Sequence, residues 1–176
     1  MVGKNLSRYG VALSCALVLF VSHARAQMAA PNAVGPADGW VYDSNDPTRV
    51  VSADAIGIKD VIVKAVDAWN RQNLYGYCEM FLRSDALLIR VDGEEISGWN
   101  AVWENYSHYL AQPSAMGYSV EERLKIRLLS PGVGYVLGWW RYESAFMAGH
   151  GEDAAVFLKT SDGWKLAAGH TKFERQ

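Results

Sequence analysis

Four side chains, His170, Tyr142, Tyr77 and Arg90, are the main candidates for chemistry in this sequence. The ordinary pKa of histidine is about 6.5, so His170 would carry a proton readily at neutral pH. Tyr142 or Tyr77 would donate a hydrogen bond, and the Arg90 guanidinium would orient an anionic group of a substrate. The structural alternatives are a core histidine that donates to a backbone carbonyl or a tyrosine, and an arginine paired with a nearby acid.

Strand parity decides whether His170 faces a core. In the last predicted strand, Trp164 to Phe173, we expect Lys165 to face water. The opposite parity then points inward: Trp164, Leu166, Ala168, His170 and Lys172. On this parity His170 lies in the interior.

The predicted strand Gly134 to Ala145 has two faces with different consequences. The uncharged face is favoured as the inner one, and it consists of Val136, Gly138, Trp140 and Tyr142. Arg141 and Glu143 would then pair on the outer face. With the reverse parity, these two charged residues would enter the interior and become catalytic candidates.

The elements that position these residues change from helical to alternating periodicity along the chain. An apolar stripe of helical spacing follows Asp54, and it is formed by Ile58, Ile62, Ala65 and Trp69. A short helix, a hairpin turning at Asp92-Gly93 and an aromatic helix follow. Four alternating strands occupy the chain from Tyr118 onward, so the sequence predicts an α+β fold with a curved antiparallel sheet over helices.

Aromatic residues are numerous, with seven Trp and nine Tyr among 176 residues. Those on the predicted inner faces are Trp69, Tyr77, Phe81, Trp103, Tyr106 and Trp140. Most aromatic residues at helical spacing belong to a core. A cavity walled by rings would also suit a flat, mostly apolar ligand, so these six residues are predicted to bind one.

The chain from Asp54 to Phe173 resembles the superfamily named after nuclear transport factor 2, which includes ketosteroid isomerase and the SnoaL-like cyclases. The resemblance rests on the long first helix, Phe81-x3-Asp85-Ala86, Gly93 with Ile96-x-Gly98, and Asp162-Gly163-Trp164-Lys165-x4-His170. It implies a cone in which the sheet wraps around the long helix and two shorter ones, leaving a deep pocket. Many such domains pair through the outer face of the sheet, where Tyr135, Leu137 and Trp139 would lie.

The sequence departs from the steroid isomerases at the general base. Their catalytic carboxylate lies five positions after the residue matching Asp85, and Arg90 occupies that position here. An arginine stays protonated, and no tyrosine and protonated-aspartate pair matches their oxyanion hole. Steroid isomerisation is therefore disfavoured. An inward Arg90 would select an anionic ligand, whereas the alternative is pairing with Glu94, Glu95 or Asp85.

The N-terminus predicts export. Lys4 and Arg8 precede an apolar run, and Ala24-x-Ala26 offers a cleavage site, so residues 1–26 are predicted to be a signal peptide. That run is too short to span a bilayer, so no membrane anchor should remain. Cleavage would leave 14 basic and 19 acidic residues, a formal charge of −5, which disfavours nucleic acid as a partner. We expect a periplasmic or secreted protein.

After cleavage Cys78 would be the single cysteine, which excludes an internal disulfide and a Cys-x-x-Cys metal site. It is expected to be a buried apolar residue rather than a reactive thiol. Residues 27–53 read as an extended leader that Trp40 and Tyr42 pin to a pocket domain over 54–176. No metal is predicted, and NAD and ATP are improbable cofactors because they are scarce outside the cytoplasm.

Three functions remain open from the sequence. The preferred one is binding of a small, partly apolar molecule, anionic if Arg90 faces inward, by an exported domain that forms a homodimer through the outer sheet face. The second is an acid/base enzyme of the isomerase, dehydratase or hydrolase type that uses His170. The third is a structural domain whose own side chains fill the pocket.

Overall fold

A computed structural model describes residues 39–46, 48–49, 51–110 and 115–176, and the predicted signal peptide lies outside these residues. The described part contains three helices: α1 (Ala53–Asn70), α2 (Leu74–Cys78) and α3 (Trp99–Leu110). Its strands are β1 (Tyr42–Asp43), β2 (Leu88–Val91), β3 (Glu94–Ser97), β4 (Tyr118–Ser130), β5 (Val133–Glu143), β6 (Ala148–Thr160) and β7 (Gly163–Arg175). The predicted α+β fold is confirmed.

The strands form one curved, unclosed sheet in the order β1-β4-β5-β6-β7-β2-β3. The four long strands make the predicted antiparallel meander, and β2 pairs in parallel with β7. The β2–β3 hairpin turns at Asp92-Gly93, where both residues have positive φ (43° and 96°) as a tight hairpin turn requires. The outer strands β1 and β3 are short, so the sheet has short edges.

Helix α1 lies against the concave face of the sheet. Its first turn is capped by Ser52, whose hydroxyl accepts the backbone N–H of Ala55 at 3.1 Å. Its buried residues are Ala55, Ile58, Ala65 and Ala68, and three of these four side chains are small.

The described part of the predicted leader is attached to the sheet by an ion pair. The Asp43 carboxylate, 6% exposed, accepts hydrogen bonds from Arg123 Nη2 at 2.8 Å and Nε at 3.2 Å. These bonds, together with one from the Asn45 backbone N–H, hold the pKa of Asp43 below its ordinary value. Trp40 lies over Lys125 and Arg127 of β4. Residues 39–46 therefore belong to the folded unit.

Cys78 lies in the core with none of its surface exposed. Burial raises the pKa of its thiol to about 12. The thiol is therefore a protonated, apolar core group, as the sequence predicts. No helix among the described residues is long and apolar enough to cross a membrane.

Candidate functional site

A cavity of about 430 Å³ lies between the helices and the concave face of β4 to β7. Most of its wall is apolar, contributed by α1, α2, α3 and the inner face of the meander. Phe146, in the β5–β6 turn, borders the cavity and is 79% exposed, so the cavity opens to solvent beside this turn. A space of this size accommodates a small organic molecule.

Aromatic rings form two groups in the cavity wall. On the helical side, Tyr77 contacts Trp69 (centroids 4.9 Å apart), Phe81 and Tyr106 (5.7 Å each). These four residues line the cavity. On the sheet side, Trp140 stacks on Phe173 at 5.7 Å, and Tyr142 meets the edge of the same ring at 6.0 Å.

Strand β5 presents the uncharged face to the cavity. Val136, Gly138, Trp140 and Tyr142 all line it. Arg141 lies on the outer face, where its Nη1 is 3.6 Å from Glu122 Oε1. The Tyr142 hydroxyl donates to the backbone carbonyl of Ala115 at 3.2 Å, so its proton is already engaged. Tyr142 can still offer an acceptor to a ligand.

Two carboxyl groups, Glu121 and Asp153, lie in the wall of this aromatic cavity. Glu121 of β4 is opposite Trp140, and Asp153 of β6 is opposite Gly138. They flank β5 at Gly138, where no side chain intervenes. A Cβ built on Gly138 would lie 3.3 Å from Glu121 Oε1 and 3.6 Å from Asp153 Cβ. Glycine at this position leaves room for both carboxyl groups.

The surroundings raise the pKa of both acids. Burial, and then the charge of Asp153, raise the pKa of Glu121 to about 8, against a smaller lowering by the backbone N–H of Trp139. Burial raises the pKa of Asp153 to about 6, while hydrogen bonding from Thr171 and Trp140 lowers it. Both side chains keep some accessible surface because they face the cavity. Both carboxyl groups are therefore protonated more readily than a carboxyl group in water.

Three polar atoms of the wall are buried without a hydrogen-bond partner of normal geometry: Glu121 Oε1, Trp69 Nε1 and Trp140 Nε1. The Trp140 indole nevertheless lies near enough to Asp153 to lower the pKa of that carboxyl. Thr171 Oγ1 donates to Asp153 Oδ1, so this carboxyl has a firm protein partner. An unpartnered acceptor and donor in a cavity wall are groups that a bound polar molecule would satisfy.

His170 is among the residues bordering the cavity, but its side chain lies on the outer face of the sheet. It is opposite Ala154 of β6 and Arg90 of β2, whereas the neighbouring Thr171 is opposite Asp153 on the inner face. Burial and the charge of Arg90 lower the pKa of His170. The predicted inward parity of β7 holds at Trp164 and Leu166 and is reversed from Ala168 onward.

The reversal is caused by a β-bulge at Ala167. Leu166 is opposite Phe157 and Ala168 is opposite Val156, so Ala167 is an extra residue in β7. Beyond it Gly169, Thr171 and Phe173 line the cavity, and the predicted inward Lys172 is exposed and paired with Glu174. The bulge therefore removes the imidazole from the interior.

Two predicted ligand-binding residues, Arg90 and Trp103, do not line the cavity. Arg90 is on the outer face of β2, and its Nε donates to the Gly93 carbonyl at 3.2 Å. Trp103 packs outside the cavity between α2 and α3, stacked on Trp99 at 6.0 Å and edge-on to Tyr75 at 6.3 Å. The argument for an anionic ligand, which rested on an inward Arg90, therefore falls away.

Glu121 and Asp153 were missed by the sequence reasoning. The alternation of Arg123, Lys125 and Arg127 with apolar residues assigns odd-numbered positions to the wet face, and Glu121 has the same parity. A bulge at Glu122 reverses it. No group of three or more His, Cys, Asp or Glu side chains among the described residues is arranged as a metal site.

Solved structures with similar folds come from several bacteria. A nuclear transport factor 2-like protein of unknown function from Shewanella oneidensis superposes with a TM-score of 0.62 at 20% identity, covering 66% of this chain and 96% of that one. A cystatin-like fold protein from Caulobacter vibrioides gives 0.59 at 15% identity, covering 70% and 91%. A nuclear transport factor 2 superfamily protein from Salmonella enterica gives 0.57 at 13% identity, covering 70% and 95%.

No model of a known protein family matches the sequence, and no curated protein matches it. At the identities of the structural matches the similarity establishes the fold and leaves function to the site. The helices, the meander and the shape of the sheet agree with the resemblance carried by the sequence motifs. The chain therefore has the nuclear transport factor 2-like fold.

Proposed function

We propose that this domain binds a small, flat, mostly apolar molecule in the cavity between the helices and the sheet. The observation that carries the proposal is the cavity of about 430 Å³ with its aromatic wall. A cavity filled by the protein's own side chains would serve packing alone, and this one is open beside Phe146. Rings such as Trp69 and Trp140 provide large apolar surfaces for a planar ligand.

Binding can be tested with N-phenyl-1-naphthylamine, a neutral aromatic probe whose fluorescence rises on burial. We expect saturable binding, and we expect Ala65→Leu, which fills space in the cavity wall, to weaken it by at least about tenfold. Ala53→Leu adds the same group at the exposed start of α1 and is the matched control. Equal probe binding by the two variants would contradict this location for the site.

A second candidate is acid/base catalysis by the Glu121–Asp153 pair in place of His170, with an isomerase, dehydratase or hydrolase type of reaction. It is favoured by the two carboxyl groups whose pKa values, about 8 and about 6, lie on either side of neutrality. Glu121 would donate a proton while Asp153 accepts one. Such proton transfer requires no cofactor.

Catalysis is tested by screening the purified protein for turnover of small enol, hydroxy-carbonyl and epoxide compounds. Glu121→Gln and Asp153→Asn should each reduce a detected rate by at least about 100-fold, while Glu122→Gln, on the outer face, should leave it unchanged. Turnover that survives both cavity substitutions would exclude the carboxyl pair as the catalytic groups.

We also propose that the protein is an exported homodimer. Pairing is supported by the apolar strip that Tyr135, Leu137 and Trp139 form on the outer face of β5. Leu137→Glu should convert a dimer to a monomer in sedimentation, whereas Leu129→Glu, at an exposed position of β4, should not.

Export is tested by N-terminal sequencing, with Gln27 as the expected first residue.

A further inference from the structure

We infer that the cavity selects an organic cation carrying N–H donors, of the aromatic amidine or amine class, which Glu121 and Asp153 bind together. This inference rests on the proposed binding function and specifies its ligand. It reverses the charge expected from the sequence. The reversal follows from which charged side chains the fold turns inward.

The charges in the cavity wall are of one sign. Glu121 and Asp153 line the cavity, and no Lys or Arg among the described residues does. His170 borders the cavity, but burial and the charge of Arg90 lower its pKa and so disfavour its charged form. Arg90 and Arg141, the two cations considered for the interior, both lie on the outer face of the sheet. A buried carboxylate without a cation is costly, so a ligand of positive charge would relieve that cost and an anion would increase it.

The position of the carboxyl groups favours one ligand that contacts both. They lie on the two strands flanking Gly138, and each has an atom within 4 Å of the point where a Cβ at that residue would be. Glu121 Oε1 is buried and accepts no hydrogen bond. A planar cation with several N–H groups can donate to both carboxyl groups at once, as a guanidinium does.

The aromatic wall suits the rest of such a molecule. Trp140 faces Glu121 across the β4–β5 ladder, and Trp69 and Tyr77 close the helical side of the same cavity. Ring faces attract cations, and the attraction strengthens where water is excluded. An aryl ring attached to the cation would occupy the apolar remainder of the space.

Three isosteric probes separate charge from shape: benzamidine, benzamide and benzoate. Each is measured by displacement of N-phenyl-1-naphthylamine from the purified protein at pH 9, above the pKa of about 8 for Glu121 and of about 6 for Asp153, and at one salt concentration. We expect benzamidine to bind at least about tenfold more tightly than benzamide, and benzoate more weakly than either. Benzoate binding as tightly as benzamidine would overturn the inference.

Variants assign the preference to the carboxyl pair. Glu121→Gln and Asp153→Asn should each reduce the tenfold preference to less than about threefold while leaving benzamide affinity unchanged. Glu122→Gln and Glu152→Gln, the chain neighbours on the outer face, should retain it. Asp153 also accepts a hydrogen bond from Thr171, so thermal unfolding is used to check that Asp153→Asn folds. If Asp153→Asn does not fold, the result for Glu121→Gln decides the test. A preference that persists in Glu121→Gln would overturn the inference.

The two levels of proposal fail differently. If the neutral probe binds but benzamidine shows no advantage over benzamide, cation selection is wrong and binding in the cavity stands. If the neutral probe itself does not bind, the proposed function fails, and the inference that depends on it fails with it.

Discussion

Two single-residue bulges, at Glu122 in β4 and at Ala167 in β7, have opposite effects on the chemistry of the cavity. The first reverses strand parity so that Glu121 and Leu124 both face inward. The second sends His170 outward and brings Thr171 and Phe173 in. One bulge adds an acid to the interior and the other removes a base. The polarity of the cavity is thus set by two insertions in the strands.

Deleting Ala167 is the most severe way to break this comparison. The deletion would turn Thr171 and Phe173 outward and force Lys172 inward, in a strand that is paired on both sides. We expect the free energy of unfolding to fall by more than about 3 kcal/mol, or folding to fail. Urea denaturation followed by tryptophan fluorescence measures the loss.

Deletion of Glu122 provides the matched measurement. Glu122 lies near the start of β4, where Glu121 and the residues before it pair only with β5. A short segment can therefore realign after the deletion. The loss should be about half of that for Ala167. Equal stability of the Ala167 deletion and the unaltered protein would show that this bulge does not fix the inner face of β7.

The pH dependence of stability tests the inward position of Glu121. The pKa of Glu121 is raised from 4.5 to about 8 in the folded state, so between these values the folded protein binds more protons than the unfolded chain. Its stabilising effect is complete below about pH 4.5 and is lost as pH rises through about 8. We expect stability to fall by about 5 kcal/mol in all, since a difference of one between the folded and unfolded pKa corresponds to about 1.4 kcal/mol.

Glu121→Gln should remove most of this dependence of stability on pH. The part due to Asp153, whose pKa is raised to about 6, should remain at lower pH. Urea unfolding at pH 5, 7 and 9 provides the comparison. Glu122→Gln, one residue away on the outer face, should keep the full slope. An unchanged slope in Glu121→Gln would place the carboxyl of Glu121 in water.

Gly138→Ala tests the space shared by the two carboxyl groups. The added methyl would lie 3.3 Å from Glu121 Oε1, so that side chain must move by a few tenths of an ångström. We expect a loss of about 1 kcal/mol in the free energy of unfolding. Benzamidine affinity should also fall, because one carboxyl is displaced. An unaltered affinity for benzamidine would mean that the added methyl does not displace the carboxyl group of Glu121.

His170→Ala should have the smallest effect. Its side chain is on the outer face beside Arg90, away from the Glu121–Asp153 pair. The affinity for N-phenyl-1-naphthylamine should change by less than about twofold, and stability by less than about 1 kcal/mol. Fluorescence titration measures the first and thermal unfolding the second. Loss of binding in this variant would show that His170 belongs to the binding site.

The sequence predicts the elements and one of the decisive faces correctly, for a physical reason. Strand β5 has no bulge of its own and pairs with β6 without a register shift, so the parity of Trp140 and Tyr142 holds along its whole length. The helical stripe of α1 and the Asp92-Gly93 turn are local signals and need no knowledge of the sheet. Where structure follows from local pattern, sequence is sufficient.

The carboxyl pair was not predictable in this way. Neither Glu122 nor Ala167 is a glycine or proline, so nothing in the residue type marks the bulges. Gly149 and Gly151 are residues typical of a turn, yet both lie within β6. A Cβ at Gly151 would lie 2.1 Å from the Trp140 ring, so this glycine makes room for an aromatic side chain.

Cys78 makes the opening of the core measurable by thiol labelling. Its thiol is inaccessible and stays protonated while the core is intact, so a thiol reagent can reach it only during an unfolding event. In a chain that lacks Cys15, the labelling rate under native conditions counts these events. Ligands could then be ranked by how much they lengthen the interval between openings, with no chromophore and no denaturant.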